Sequence, residues 1–481
     1  MTRFRGEEQP GFRDLVGTWL SQQEWFPVAP ARRAITRVGG LRLPAPSGDA
    51  DQGLHLEMHL FDVAHTGGVE RVAVPMALRS RPSALAGKTA LIGRLGSPAG
   101  ELWVYDGARD RAFLAAWHEM ARRQQGSRNG RSRGEAFGDF DTWPAFTAKL
   151  QRTPVETKGP GATRTAVIAA ESDEDVARET VVDFIRRPAH QRAATLDTVM
   201  RMARTGSTTV ARVLGVVTGS WPEPTGAAGD LRWVSGDLGI IREAALGAPD
   251  AAALTRRALS TGSDFTEEAA ELGEILGDFH ADLAATFGAY PQTSGQLNAM
   301  VDGAAKALQD QWAQVRADLD ESEATDLAEV VDLLKRQLRD ADQVMTLQKI
   351  HGDLSTERLR KGGSERGWIV DEDGGMVDHA LPMRDVVTLL MSLADLVMET
   401  AHAAPGTEGP DGGSLDPVDF GLWYEQVTKS LLQGYRNSDA EGAGIDSVFF
   451  HVAMLTEALE LFHRWEGRWV FRPSMLLQSE T

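Results

Sequence analysis

The hydrophobic pattern changes character along the chain. Residues 14–26 place Leu15, Trp19, Leu20, Trp25 and Phe26 at spacings that predict a short amphipathic helix ending in aromatics. Leu54-His55-Leu56-Glu57-Met58-His59-Leu60 then alternates apolar and polar, the period of a half-buried strand. His55 and His59 share one face of it, where two solvent-facing histidines are favoured over a metal site. His65-Thr66-Gly67-Gly68 supplies turn chemistry, and Val69 to Leu78 predicts the next strand of a meander. Leu91-Ile92 and Leu102 to Tyr105 add two short strands, and Asp110 is placed to cap a helix carrying Phe113, Leu114 and Trp117. Residues 121–139 are dominated by Gly, Ser and Arg without periodicity and predict a flexible basic linker. Beyond it, Thr165–Ala170, Glu179–Ile185, Val210–Val217 and Gly239–Arg242 predict strands, Thr195–Ala203 a helix, and Gly219–Asp230 a Pro/Gly-rich loop. From residue 264 the period becomes 3.6. Leu272, Ile275, Leu276, Phe279 and Leu283 mark one helix, with Asp264 as candidate cap. His280 lies on its apolar face, where a lone histidine is more often a satisfied core residue than a ligand. Leu308, Trp312, Val315 and Leu319 mark a second helix and Leu327, Val330, Val331, Leu334 and Leu338 a third; others follow over 383–401, 417–436 and 444–465.

A chain of 481 residues exceeds what one core supports. The pattern divides it into a β-rich segment 1–122, the linker 123–144, a sheet-rich segment 145–245 and a helical segment 246–481. With 50 basic and 69 acidic residues the formal charge is −19, which disfavours nucleic acid or an anionic membrane as partner. The chain has no cysteine, so disulfides, thiolate metal sites and cysteine nucleophiles are excluded. Met1 to Arg13 has no apolar signal core and no apolar run approaches bilayer length, so a soluble cytoplasmic protein is expected.

Chemistry concentrates in Ile350-His351-Gly352-Asp353-Leu354-Ser355-Thr356-Glu357-Arg358, followed by Gly367-Trp368-Ile369-Val370-Asp371-Glu372-Asp373-Gly374. A His-x-Asp loop with a second acidic cluster after a short hairpin is the pattern of phosphoryl transfer on kinase-like folds. There one Asp accepts the proton of the attacking hydroxyl and a later Asp holds Mg²⁺ on the nucleotide phosphates. A sheet-rich half followed by a helical half that carries this loop is also the two-lobe arrangement of such folds. Ala86-Gly87-Lys88-Thr89 ends like a Walker A loop, but position 82 is Pro where that motif needs Gly, and it is set aside.

The chain as a whole resembles the actinobacterial maltokinases, which are aminoglycoside-phosphotransferase-like kinases with an extra N-terminal cap. The resemblance is carried by Trp19-Leu20 with Glu24-Trp25-Phe26, by Glu70 to Pro75, by Ile350 to Asp353, by Trp368 to Asp371, by Arg384-Asp385-Val386 and by Gly434-Tyr435. It implies an α+β, protein-kinase-like two-lobe fold with an N-terminal β-rich cap and a helical C-terminal lobe. It places Asp353 at the catalytic base, Asp371 and Asp373 at the metal, and Arg384, Glu457 and Trp465 among the sugar-contact candidates, with Trp423, Tyr424, His463 and Trp469 beside them. The cofactors implied are ATP and Mg²⁺.

Three positions depart from the pattern. Five residues after the base, where the fold carries Asn or Gln, stands Arg358, which has no acceptor; Glu357 could take the metal role, or Arg358 could bind phosphate itself. Asp183 aligns with the nucleotide-binding Lys, with Arg186 or Arg187 as the compensating cation if the register slips. Asp197 stands for the Glu that pairs with that Lys. Two functions compete: ATP-dependent phosphorylation of maltose, or a related sugar, to the 1-phosphate for α-glucan (glycogen) synthesis; or a kinase-fold subunit without efficient chemistry that scaffolds trehalose synthase.

Overall fold

The computed structural model describes residues 5–26, 34–65, 67–83, 88–98, 100–155, 162–169, 178–192, 194–225, 230–244, 247–362, 367–371, 376–403, 417–438, 440 and 444–466. The chain forms two compact units, residues 1–197 with 212–246, and residues 198–211 with 247–481.

The first unit opens with α1 (Phe12–Leu20), followed by β1 (Ile35–Leu43), β2 (His55–His65), β3 (Gly68–Arg79), β4 (Leu91–Ser97), β5 (Gly100–Asp106) and α2 (Arg111–Arg122). The strands make an antiparallel sheet in the order β1-β2-β3-β5-β4. Strand alternation sends Val72, Val74, Met76 and Leu78 to one core beneath α1, and Ala73 and Ala77 to a second core around α2. Asp110 caps α2 as the sequence predicts, accepting from the N–H groups of Ala112 and Phe113.

Because both faces of this sheet are covered, the polar half of the alternation in β2 is buried too. His59 is fully buried, not solvent-facing. Its Nε2 lies 3.0 Å from Glu57 Oε2, and its Nδ1 accepts from Arg37 Nε at 3.2 Å. Glu57 also accepts from the backbone N–H of Arg5 and Gly6, which ties the N-terminal segment to the sheet. No cluster of three His, Asp or Glu residues suited to a metal occurs among the described residues.

The second sheet of this unit contains β6 (Ser132–Ala136), β7 (Gln151–Val155), β8 (Ala162–Ala169) and β9 (Arg178–Ile185). After α3 (Ala194–Thr205) come β10 (Val213–Thr225) and β11 (Asp230–Glu243), giving the order β6-β10-β11-β9-β8-β7. Two sequence expectations change here. The Gly/Ser/Arg stretch is not a free linker: Ser132 to Ala136 pair with Gly219 to Gly215 of β10. A side chain at Gly134 would collide with the Met120 carbonyl of α2, so this glycine permits packing. Nor is Gly219–Asp230 a loop up to residue 225, because β10 and β11 stay paired out to Thr225↔Asp230. Pro222 and Pro224 are tolerated because β6 pairs only with residues 215–219, which leaves that stretch of β10 an edge. Trp117, Phe113, Phe184, Trp221 and Leu238 fill the core between the sheets.

The second unit is mainly helical. It holds α4 (Ala251–Thr261), α5 (Thr266–Phe287), β12 (Ala289–Pro291), α6 (Ser294–Val315) and α7 (Glu321–Arg339). These are followed by β13 (Thr346–Ile350), β14 (Leu359–Lys361), β15 (Trp368–Val370), β16 (Val377–Ala380), α8 (Met383–Ala403), α9 (Pro417–Asn437) and α10 (Val448–Arg464). Helix α4 escaped the pattern because its buried face is mostly small: Ala251, Ala252, Thr255, Ala258 and Leu259. Asp250 caps its start, and Gly262, at φ 63°, closes it. Helices α5 and α9 approach until side chains at Gly273 and Gly434 would strike the carbonyls of Leu431 and Ala270. No helix among the described residues is long and apolar enough to cross a membrane.

Candidate active site

The close crossing of α5 and α9 matters because it brings His280 and Tyr435 together beneath the loop that follows β13. Ile350 ends that strand fully buried, and His351 continues inward with no exposed surface. Gly352 then turns the chain at φ 85°, a conformation that disfavours any side chain, and Asp353 emerges with 66% of its side chain exposed. Residues 356–358 form one 3-10 turn, and β14 and β15 make a hairpin that delivers Asp371 back beside the loop.

Backbone and side chains fix this loop from four directions. The Asp385 carboxylate, buried in the first turn of α8, accepts from the N–H of His351 at 2.8 Å and of Gly352 at 2.8 Å. Its Oδ2 also meets His280 Nε2 at 3.1 Å, and His280 Nδ1 meets the Tyr435 hydroxyl at 2.7 Å. Three donors satisfy the buried charge, as such a group requires. Burial, aided by Asp385, pushes the Tyr435 hydroxyl pKa up, so it remains a donor. On the other side of the loop, His351 Nε2 lies 2.9 Å from the Asp371 carbonyl, and His351 Nδ1 accepts from the Asp353 N–H at 3.2 Å. Both bonds are met at once by the neutral ring carrying its proton on Nε2. Ser392 of α8 holds the N–H of Thr356, and Glu271 of α5 receives Lys361 Nζ and Trp368 Nε1 from the hairpin.

Each candidate acid here has an arginine beside it. Arg358 Nη2 lies 3.8 Å from Asp353 Oδ2, and Arg360 Nε lies 3.3 Å from Asp371 Oδ2. The backbone binds these positions together, the Asp371 N–H donating to the Arg358 carbonyl at 2.6 Å. Glu357 is exposed on the same turn. Asp373 lies outside the described residues.

The expected sugar contacts fall on α8 and α10. Arg384 is exposed at the start of α8, close enough to Glu457 to oppose the rise that partial burial and Glu460 cause in the Glu457 pKa. Trp465 donates from Nε1 to Asp395 at 2.7 Å, with the His402 ring 5.3 Å away. Arg384 and Asp395 stand eleven residues apart on one helix, about 16 Å along its axis, so these contacts form two patches. Trp423 packs on Phe265 with its Nε1 on the Ser263 carbonyl, and buried Tyr424 donates to the Leu390 carbonyl; both are structural. His463 is exposed. Trp469 lies outside the described residues.

In the first unit, Asp183 is clamped between arginines on neighbouring strands, 2.6 Å from Arg164 Nε and 3.6 Å from Arg242 Nε. Arg186 is not a free phosphate contact: it is fully buried, with Nη2 on Asp106 at 2.5 Å and Nε on Thr163 at 2.8 Å, and its guanidinium lies over the rings of Trp19 and Trp25. Asp197 pairs with Arg192 at 3.8 Å.

Among the described residues Asp371 and the exposed Glu357 offer carboxylate oxygens, the donors that Mg²⁺ selects, whereas the Arg358 guanidinium offers no acceptor. What the sequence missed is the support: Asp385, His280 and Tyr435. The signal lay in the Arg-Asp-Val segment itself, where Arg384 drew attention and its neighbour does the anchoring.

With this geometry in hand, comparison with known proteins is informative. Across 98% of both chains the fold matches glucosamine kinase in complex with glucosamine, ADP and inorganic phosphate, with a TM-score of 0.54 and 18% identity. A second crystal form of glucosamine kinase matches at a TM-score of 0.53 and 18% identity, over 98% of this chain and 97% of that one. The chain is thus a protein of the kinase fold. Its N-terminal segment narrows this further: residues 19–110 match the family model of the maltokinase N-terminal cap domain.

Proposed function

We propose that the protein is an ATP-dependent sugar kinase. The observation that carries this reading is the loop from His351 to Asp353, held by Asp385 so that Asp353 alone turns outward. In the reaction, Asp353 orients the sugar hydroxyl and accepts its proton as that oxygen attacks the γ-phosphorus in line, ADP leaving on the opposite side. Asp371 is the proposed ligand of Mg²⁺, which when bound would neutralise charge on the phosphates; Asp373, close by in sequence, and Glu357, on the turn before the hairpin, are the further proposed ligands. Arg358 is the proposed cation toward the phosphoryl oxygens. Arg384, Glu457 and Trp465 are proposed for the sugar.

The cap supports maltose as acceptor, giving maltose 1-phosphate in cytoplasmic α-glucan and trehalose metabolism, and the likeness to glucosamine kinase makes glucosamine the second sugar to test. Arg358 and Asp183 also sustain the alternative of a kinase-fold subunit that scaffolds trehalose synthase. A screen of maltose, glucosamine and other sugars with ATP and Mg²⁺, following ADP release, decides between them. The sugar kinase turns over at least one of these, and Asp353→Asn loses about 10²–10⁴ in kcat without a change in melting temperature. Absence of Mg·ATP binding by calorimetry overturns the kinase reading and leaves the scaffold.

A further inference from the structure

Arg358 sits where kinase-like folds place the acceptor side chain that ligates a second metal ion, five residues beyond the catalytic Asp. Three features define its place. Its guanidinium is 3.8 Å from Asp353 Oδ2. Its carbonyl accepts from the Asp371 N–H at 2.6 Å, and its own N–H donates to the Ser355 carbonyl at 2.9 Å, so its backbone position is fixed between the two acids. With 19% of its side chain exposed it is largely held by the protein. A guanidinium has five donors, no acceptor, and a charge that persists at every working pH, so it repels a cation and attracts phosphoryl oxygens.

We infer that Arg358 is a built-in replacement for the second metal ion, so that this protein binds its nucleotide with a single divalent cation. The inference rests on the kinase reading and sharpens it. The neighbouring arginine is engaged differently, because Arg360, in the middle of β14, pairs with Asp371 at 3.3 Å. In the complex, Asp371 would hold the one cation, and Arg358, 3.8 Å from Asp353, would offer its guanidinium to the phosphoryl oxygens. It stabilises the charge there without having to be recruited from solution. Catalysis should then saturate once every ATP carries one Mg²⁺, with no further rise on added free Mg²⁺.

The test counts bound Mn²⁺ by electron paramagnetic resonance in the full chain with saturating ADP. The wild type is expected to bind one Mn²⁺ per ADP, and Arg358→Gln, which restores an amide acceptor, to bind two. Arg358→Lys, which keeps the charge, is expected to stay at one. Two Mn²⁺ in the wild type overturn the inference. So does one Mn²⁺ in a folded Arg358→Gln protein, since the arginine is then not what excludes the second ion. If Arg358→Gln loses its melting transition, the wild-type count decides alone, one ion supporting the inference and two overturning it. Failure of the kinase reading looks different: no ADP binds and Mn²⁺ binding is indifferent to nucleotide, and the inference falls with it.

Discussion

Replacing Asp385 by Asn removes one charge and exchanges one acceptor oxygen for a donor, with almost no change in volume. The native carboxylate receives the N–H groups of His351 and Gly352 and the Nε2 of His280 inside a fully buried site. An Asn side chain can accept from one of these backbone groups, but its amide then faces the other donor. An unsatisfied buried N–H costs about 1–3 kcal/mol, and the bonds that survive lose the assistance of the charge. A loss near 3 kcal/mol follows. For a unit of roughly 150–250 residues each kcal/mol moves the melting temperature by about 2–4 °C, so a fall of ~6–12 °C is expected. The catalytic effect is separable. Asp353 is the residue after Gly352, so a loop freed at Gly352 carries the base with it, and a displacement of ~1 Å costs about 10²-fold in kcat. Nucleotide and sugar KM values should change little, because the variant leaves their proposed contacts in place. Calorimetric melting and steady-state ADP release on the folded protein measure the two effects. A folded Asp385→Asn protein with wild-type kcat refutes the positioning role, even if its melting temperature falls; an unchanged melting temperature refutes the energetic account as well.

The first unit offers two further tests. Arg186→Gln leaves Asp106 buried without its charge partner, so a loss of about 3–5 kcal/mol in stability with unchanged ADP affinity in the folded protein is expected. Weakened ADP binding at unchanged melting temperature would instead make Arg186 a phosphate contact. His118 is fully buried against the Leu114 carbonyl and the Thr180 hydroxyl, and burial lowers its pKa from 6.5 to about 4. Below pH 6.5 the unfolded chain takes up a proton that the folded one refuses. Stability is therefore lost as pH falls from 6.5 toward 4, by roughly 3 kcal/mol in all, and is flat in this respect above 6.5. His118→Gln should flatten the melting-temperature profile across that window, and an unaltered slope would show that other groups set the acid sensitivity.

The candidate loop was legible because its pattern is local. The turn at Gly352 needs glycine, the proposed base is the next residue, and the hairpin to Asp371 is short. The cap strands were legible for a similar reason, since period-two alternation survives in β2 and β3. That alternation says which residues share a face but not whether the face is covered, which is why His59 read as exposed and is buried. The support of the loop was illegible because its partners are far apart in sequence. His280 and Asp385 are separated by 105 positions and His280 and Tyr435 by 155, and only the packing of α5 with α8 and α9 joins them. Arg186 failed for the same reason, its partner Asp106 lying 80 residues earlier. The glycines of residues 121–139 misled in the opposite direction, because Gly134 serves close packing and not flexibility.

The departures from the kinase pattern share a physical character that bears on whether chemistry survives. Asp183 introduces a negative charge on β9, but Arg164 and Arg242 flank it on β8 and β11. The three side chains together carry one formal positive charge. Arg358 adds a positive charge where a neutral amide would stand, beside an acid that stays solvent-exposed. Within its own unit, therefore, neither position leaves an unbalanced negative charge: Asp183 is offset by two arginines, and Arg358 lies beside Asp353. A backbone-anchoring carboxylate buried beneath a loop costs several kcal/mol unless every donor around it is placed. Asp385 has those donors, so the loop rests on a buried carboxylate whose acceptor oxygens are met by His351, Gly352 and His280.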